Sequence, residues 1–242
     1  DLIYALSSSS TIQRLTIKGT GLSDGDVRLL FDFRLNLTHF TVLGANNLTN
    51  NGLRFIKDGA PNLHFLSIAI SDAITHRGIQ FLVEHEQLKE LSVFKSQRAE
   101  SIPGVDQLLN SSHLEKLILN NITVHSNEIN HLEISDRKNT QLRELHMPMC
   151  KLDERMTEII FSHCLGLRIF GTGTSSADIR PEWCYTIGSL IASNTRSLEQ
   201  IIFYHGNERY YRESASSKIV WQRVLFHLLP GLQFLRVLPI PK

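Results

Sequence analysis

Cysteine is scarce in this sequence: three in 242 residues, at positions 150, 164 and 184. Cys150, Cys164 and Cys184 make neither a C-x-x-C pair nor an even framework, which argues against a disulfide-stapled secreted fold. They are expected to be reduced thiols in a cytoplasmic or nuclear protein. Long apolar runs are also missing; none approaches the ~20 residues that a membrane span needs, so no membrane partner is expected. There is no basic-then-apolar leader and no initiating Met. Charge of one sign is not in excess: 25 Lys and Arg face 24 Asp and Glu, a formal net charge of +1. Such a balance gives no push toward nucleic acid, which favours a basic stripe on one face.

Catalytic and cofactor signatures are absent as well. No G-x-S-x-G and no H-E-x-x-H occurs. The glycines and hydroxyls of 171–176 lack the Gly-Lys-Ser/Thr that defines a phosphate loop. Metal ligation needs closely spaced His and Cys, and the nearest candidates are Cys150 with Cys164 and His146 with Cys150. No cofactor, no metal and no enzymatic activity are therefore expected. Four N-x-S/T sequons, at Asn36, Asn47, Asn110 and Asn121, would suit a secretory setting, but a chain rich in Asn, Ser and Thr produces such triplets by chance.

What the sequence does have is internal repetition. An apolar residue is followed by another three on and another two on, restarting about every 25 residues. The copies begin at Ile12, Leu37, Leu63, Leu88, Leu114, Leu142, Leu167, Leu198 and Leu232, giving nine of the form L-x-x-L-x-L. Repetition on this scale marks stacked units that share one continuous core. Residues 1–242 are thus expected to form a single elongated domain. Both ends read as cut within a repeat, so the chain is expected to be a piece of a longer protein.

One repeat shows why the units stack. Leu63, Leu66 and Ile68 point to one side of an extended segment, because alternate strand residues share a face. A turn follows, and Ile79 and Leu82 then fall at helical spacing. Val27/Leu30, Leu53/Ile56, Val105/Leu108, Ile129/Leu132, Met156/Ile159, Ile187/Leu190 and Val224/Leu228 repeat that pair. Thr and Ser just ahead of these runs are natural helix caps, since their hydroxyls satisfy free backbone N–H groups. The unit is strand, loop, helix. Helices on the outside are bulkier than strands on the inside, so the stack is expected to curve with its strands concave, an α/β architecture.

The run L-x-x-L-x-L-x-x-C/N followed by I-T-D/N-x-G-L resembles the cysteine-containing class of leucine-rich repeat. Its best instances run from Leu37 to Ile56 and from Leu63 to Leu82, and Cys150 and Cys164 sit at that class's cysteine positions. The resemblance implies a right-handed solenoid of about nine parallel strands. It further implies kinship with F-box/LRR proteins and the Zyg/Zer group of cullin-RING substrate receptors, in which the repeats recruit the substrate and a separate segment docks the ligase. No docking segment is visible here; ligase subunits would be met through segments outside this chain.

The residues expected to bind a partner lie in two places. Outward positions of the strands should be mostly polar, yet they include Leu43, Phe65, Ala69, Phe94, Ile118, His146, Met149, Ile202, Tyr204 and Phe234. An exposed apolar patch marks a binding site. Phe65 and Phe94, in adjacent repeats, are the expected anchors, flanked by Leu43 and Ile118. A one-residue slip of register would instead put those rings in the core. The period also lengthens, to 31 and 34 residues, around insertions after Phe170 and Phe203. The second insertion carries Tyr204, Arg209, Tyr210 and Tyr211, residue types enriched at binding hot spots. Its tyrosines could equally lie back on the solenoid, or stack nucleobases. The expected function is a protein-interaction module, the substrate-recognition region of a cullin-RING ligase receptor. The alternative is a structural scaffold that braces neighbouring domains.

Overall fold

The computed structural model describes residues 11–172, apart from 20, 33–35, 45–46, 96–101, 123, 125, 149, 151 and 153, together with residues 198–203. Strand and helix alternate from the first strand to the seventh. The order is β1 (Arg14–Lys18), α1 (Asp24–Asp32), β2 (His39–Leu43), α2 (Asn50–Gly59), β3 (Phe65–Ile70), α3 (His76–Val83) and β4 (Glu90–Lys95). It continues through α4 (Val105–Leu109), β5 (Lys116–Asn120), α5 (Ser126–Glu133), β6 (Glu144–Met147), α6 (Glu154–His163), β7 (Ile169–Thr172) and β8 (Gln200–Phe203).

All eight strands form one sheet in chain order, joined by seven parallel pairings. The register matches the motif copy for copy. Leu15 pairs with Phe40, Phe40 with Leu66, Leu66 with Leu91, Leu91 with Leu117, Leu117 with Leu145, Leu145 with Phe170 and Phe170 with Ile201. A single parallel sheet with a helix after nearly every strand is the arrangement of a leucine-rich-repeat-like solenoid. The ninth copy, at Leu232, lies outside the described residues, as do Ile187/Leu190 and Val224/Leu228.

The core lies between the sheet and its helices. From Leu37 to Phe170 the motif residues are all but fully buried, and so are the helical pairs Val27/Leu30, Leu53/Ile56, Ile79/Leu82, Val105/Leu108, Ile129/Leu132 and Met156/Ile159. They form one continuous cluster. Each buried leucine contributes roughly 1.5–3 kcal/mol relative to exposure, which is why strand and helix must supply apolar residues at matching heights. At β1, the first of the described strands, Leu15 and Ile17 are only half-buried, β2 being their one paired strand among the described residues. At β7 the third motif position is Thr172, fully buried and, among the described residues, with no partner for its hydroxyl, a local cost of about 1–3 kcal/mol.

A second buried column stands three residues before each opening leucine: Ala60, His85, Ser111, Asn139 and Cys164. Two of its members, His85 and Asn139, tie a repeat to the one before. The His85 Nε2 lies 2.8 Å from the Ala60 carbonyl oxygen. Asn139 Nδ2 donates to the Leu109 and Ser111 carbonyls at 2.6 and 2.9 Å, while its Oδ1 accepts from the backbone N–H groups of Gln141 and Leu142. Elsewhere the Cys150 thiol donates to the Leu119 carbonyl at 3.0 Å. Among the described residues, no helix is long and apolar enough to cross a membrane.

Candidate functional site

Every second strand residue faces away from the helices, so the parallel register lays these side chains out in three rows across the sheet. The first row holds the residue before the second motif apolar. It runs Arg14, His39, Phe65, Glu90, Lys116, Glu144, Ile169 and Gln200, each in register with the next. The second row holds the residue between the closing apolars, from Thr16, Thr41, Ser67 and Ser92 to Ile118, His146, Gly171 and Ile202. The third holds the residue after them. Lys18 pairs with Leu43, and Ala69 pairs with Phe94, which pairs with Asn120.

Phe65 and Phe94 do face outward. Both are half-buried and neither belongs to the core cluster, while Leu66, Ile68, Leu91 and Val93 beside them are buried within it. The expected single patch, however, is divided. Phe65 occupies the first row and Phe94 the third, so four residues of strand, about 13 Å, separate their rows. Being in adjacent repeats does not make two side chains neighbours; they must also share a position within the repeat. Phe65 instead stacks on His39, with ring centroids 5.6 Å apart and planes at 30°. Phe94 lines up with Ala69, which is 1% exposed yet outside the core cluster. The Ala69 methyl is sunk below the larger side chains of its own face.

Leu43 and Ile118 are half-buried on the open face, Leu43 in the row of Phe94 and Ile118 in the hydroxyl row between the two phenylalanines. His146 differs from expectation. It lies in the second row opposite Ile118 and Gly171 but is buried, so little of its ring is available to a partner. Its Nε2 stands 3.4 Å from Glu144 Oε2, two residues back on the same face. Tyr204, Arg209, Tyr210 and Tyr211, with Met149 and Phe234, lie outside the described residues; Ile202 is half-buried on β8.

Charge is concentrated in the first row. Lys116 and Glu144 pair at 3.0 Å, half-exposed, an interaction worth at most about 1 kcal/mol. Burial alone would raise the Glu144 carboxyl, but its bonds to Lys116 and His146 outweigh that and hold it below the ordinary carboxylate range. Burial lowers the His146 imidazole against the pull of Glu144. Burial, followed by the nearby Arg14 charge, likewise lowers His39, so it stacks on Phe65 as a neutral ring at neutral pH. Glu90 is exposed and, among the described residues, has no ion pair. Sequence reading by apolar content missed Glu90, Ser67 and Ser92. Aligning the copies by motif position, rather than scanning for hydrophobic exceptions, places them beside Phe65 and Phe94.

Chemically the face sets out charged, hydroxyl-bearing and apolar side chains in parallel rows across the sheet. Among the described residues, no group of three or more His, Cys, Asp or Glu side chains could hold a metal ion. Cys150 and Cys164 are free, buried thiols beneath the sheet.

No protein-family model matches this chain, and no curated protein matches it in sequence. Among solved structures it is similar to one described as the crystal structure of the Rad7 and Elc1 complex in yeast. The identity is 15% over 97% of this chain and 86% of that chain, with a TM-score of 0.31. The strand order and register, not that likeness, define the fold.

Proposed function

We propose that this chain is a protein-recognition module: a curved leucine-rich-repeat solenoid of the cysteine-containing class that holds a partner protein on the open, concave face of its sheet. The supporting observation is the set Leu43, Phe65, Phe94 and Ile118. These large apolar side chains are only half-buried on a face the helices do not cover, although the core beneath them is filled. Apolar surface held out of a full core is the mark of an interaction site. The setting that the repeat class suggests is substrate selection by a cullin-RING ubiquitin ligase, in the cytoplasm or nucleus, with the ligase contacted through segments outside this chain. The free buried thiols suit a reducing compartment. In this reading the chain binds and does not catalyse.

The test is affinity capture with the wild type, Phe65→Asp, Phe94→Asp and a control, Ile134→Asp, whose side chain is 83% exposed beyond the end of α5. The proposal expects the wild type and the control to retain the same partner. Either phenylalanine variant should lose it with little change in thermal midpoint, as for a surface substitution. Capture that survives both phenylalanine changes, or a large fall in stability on making them, overturns it.

A further inference from the structure

The open face has a chemically distinct section where β3 and β4 pair. At one end Phe65 stands in register with Glu90, at the centre Ser67 with Ser92, and at the other end Ala69 with Phe94. His39 covers one side of the Phe65 ring, leaving the side toward Glu90. Lys116, on the far side of Glu90, is engaged with Glu144, so the exposed Glu90 carboxylate keeps its charge unpaired among the described residues. Among the described residues, neither the Ser67 nor the Ser92 hydroxyl has a hydrogen-bond partner. At the other end the half-buried Phe94 ring rises beside the sunken Ala69.

We infer that this section binds an extended polypeptide segment that places a Lys or Arg between Phe65 and Glu90 and an apolar side chain, four residues away, against Phe94. The inference rests on the recognition reading above and names the chemistry of the partner. Any protein lying on this face would bury Glu90, and a buried carboxylate is costly unless a cation pairs with it. The free side of the Phe65 ring adds a cation–π contact to that pair. Spacing selects the conformation. The two ends are about 13 Å apart, the distance between residues i and i+4 on one face of a strand. A helix would need about nine residues for the same span and would hold its backbone off the floor. An extended backbone keeps its N–H and C=O groups within reach of the two serine hydroxyls.

A library of random 12-residue peptides displayed on phage and selected on the full chain tests this. The wild type should enrich peptides with a basic residue four positions from an apolar one. Glu90→Lys should replace the basic preference with an acidic one and weaken the wild-type peptides by about tenfold or more. Phe94→Ala should erase the apolar preference alone. Peptides without a basic residue, a preference that Glu90→Lys leaves unchanged, or no enrichment at all would overturn the inference. Enriched peptides that depend on Phe94 but ignore Glu90 would remove it while leaving the open face as the recognition surface. Failure of the recognition reading is distinguished by whole-protein capture that survives the phenylalanine changes.

Discussion

The Asp24 carboxylate accepts two hydrogen bonds from Thr49, one full repeat further along the chain: from its backbone N–H at 2.9 Å and from its hydroxyl at 2.6 Å. Asn50 repeats the arrangement one unit later, with Oδ1 accepting from the Thr75 N–H and Nδ2 donating to its hydroxyl, both at 2.9 Å. The first residues of α1 and α2 thus each hold the cap residue of the next helix. Thr49 in turn accepts from the Asn51 N–H as a conventional cap. The relay ends at α4, which is preceded by Gly104, with φ of 82° and no side chain to receive such a bond.

Removing a rung should loosen the stack between two repeats. Asp24→Ala and Thr49→Ala are each expected to cost about 1–2 kcal/mol, the range of lost helix caps. The double variant should cost less than the sum, because both changes delete the same bonds. Urea unfolding midpoints of the four proteins measure this; strict additivity would show that the pair is not coupled.

Asn139 is a stronger tie. Its buried side chain serves two carbonyls of the preceding unit and two amides of its own. Asn139→Ala leaves those groups without partners, each costing on the order of 1 kcal/mol or more. A loss of about 2–4 kcal/mol is expected, measured by denaturant unfolding and accompanied by faster amide exchange at Gln141 and Leu142.

His163, at the end of α6, is fully buried, and among the described residues neither ring nitrogen makes a hydrogen bond of good geometry, the backbone of Leu132 pulling on the ring only weakly. Burial, and then the charge of Lys138, lowers its affinity for a proton in the folded state. Well above pH 6.5 the imidazole is neutral whether the chain is folded or not, so it adds no pH dependence there. As pH falls below 6.5 the unfolded chain takes up a proton that the folded chain refuses, and stability declines by up to about 1.4 kcal/mol per pH unit for this group. His39, His113 and His146 shift in the same direction. His163→Leu should hold or raise stability at pH 7 and flatten the decline between pH 6.5 and 5, read from thermal midpoints across that range.

The thiols offer a check on burial. Burial pushes Cys150 up to about 11 and Cys164 to about 12, far from the low values that make a cysteine reactive. In a Cys184→Ser background neither should label with a thiol reagent at pH 8 until the protein is unfolded, when both should react. Labelling of the native chain would place those thiols outside the core.

The architecture was largely legible because its signal is redundant. One apolar spacing recurs across the chain, and each motif copy among the described residues became a strand whose second apolar pairs with its counterpart. The outward direction of Phe65 and Phe94 followed from strand alternation alone. Their separation did not, because it depends on where within the repeat each falls, which apolar content does not reveal. The buried column beside the helices was visible only at Cys164; Ala60, His85, Ser111 and Asn139 share no residue type, so a search for similarity passes over them. The burial of His146 was hidden for a different reason. Exposure on the open face depends on the bulk of the neighbouring side chains, and that is a property of the assembled sheet.

A photo-crosslinking amino acid placed at Phe94, compared with the same group at Ile134, tests the claim that the open sheet face is the recognition surface. The account predicts that a captured partner crosslinks from position 94 and not from position 134. Crosslinking from position 134 alone would contradict it.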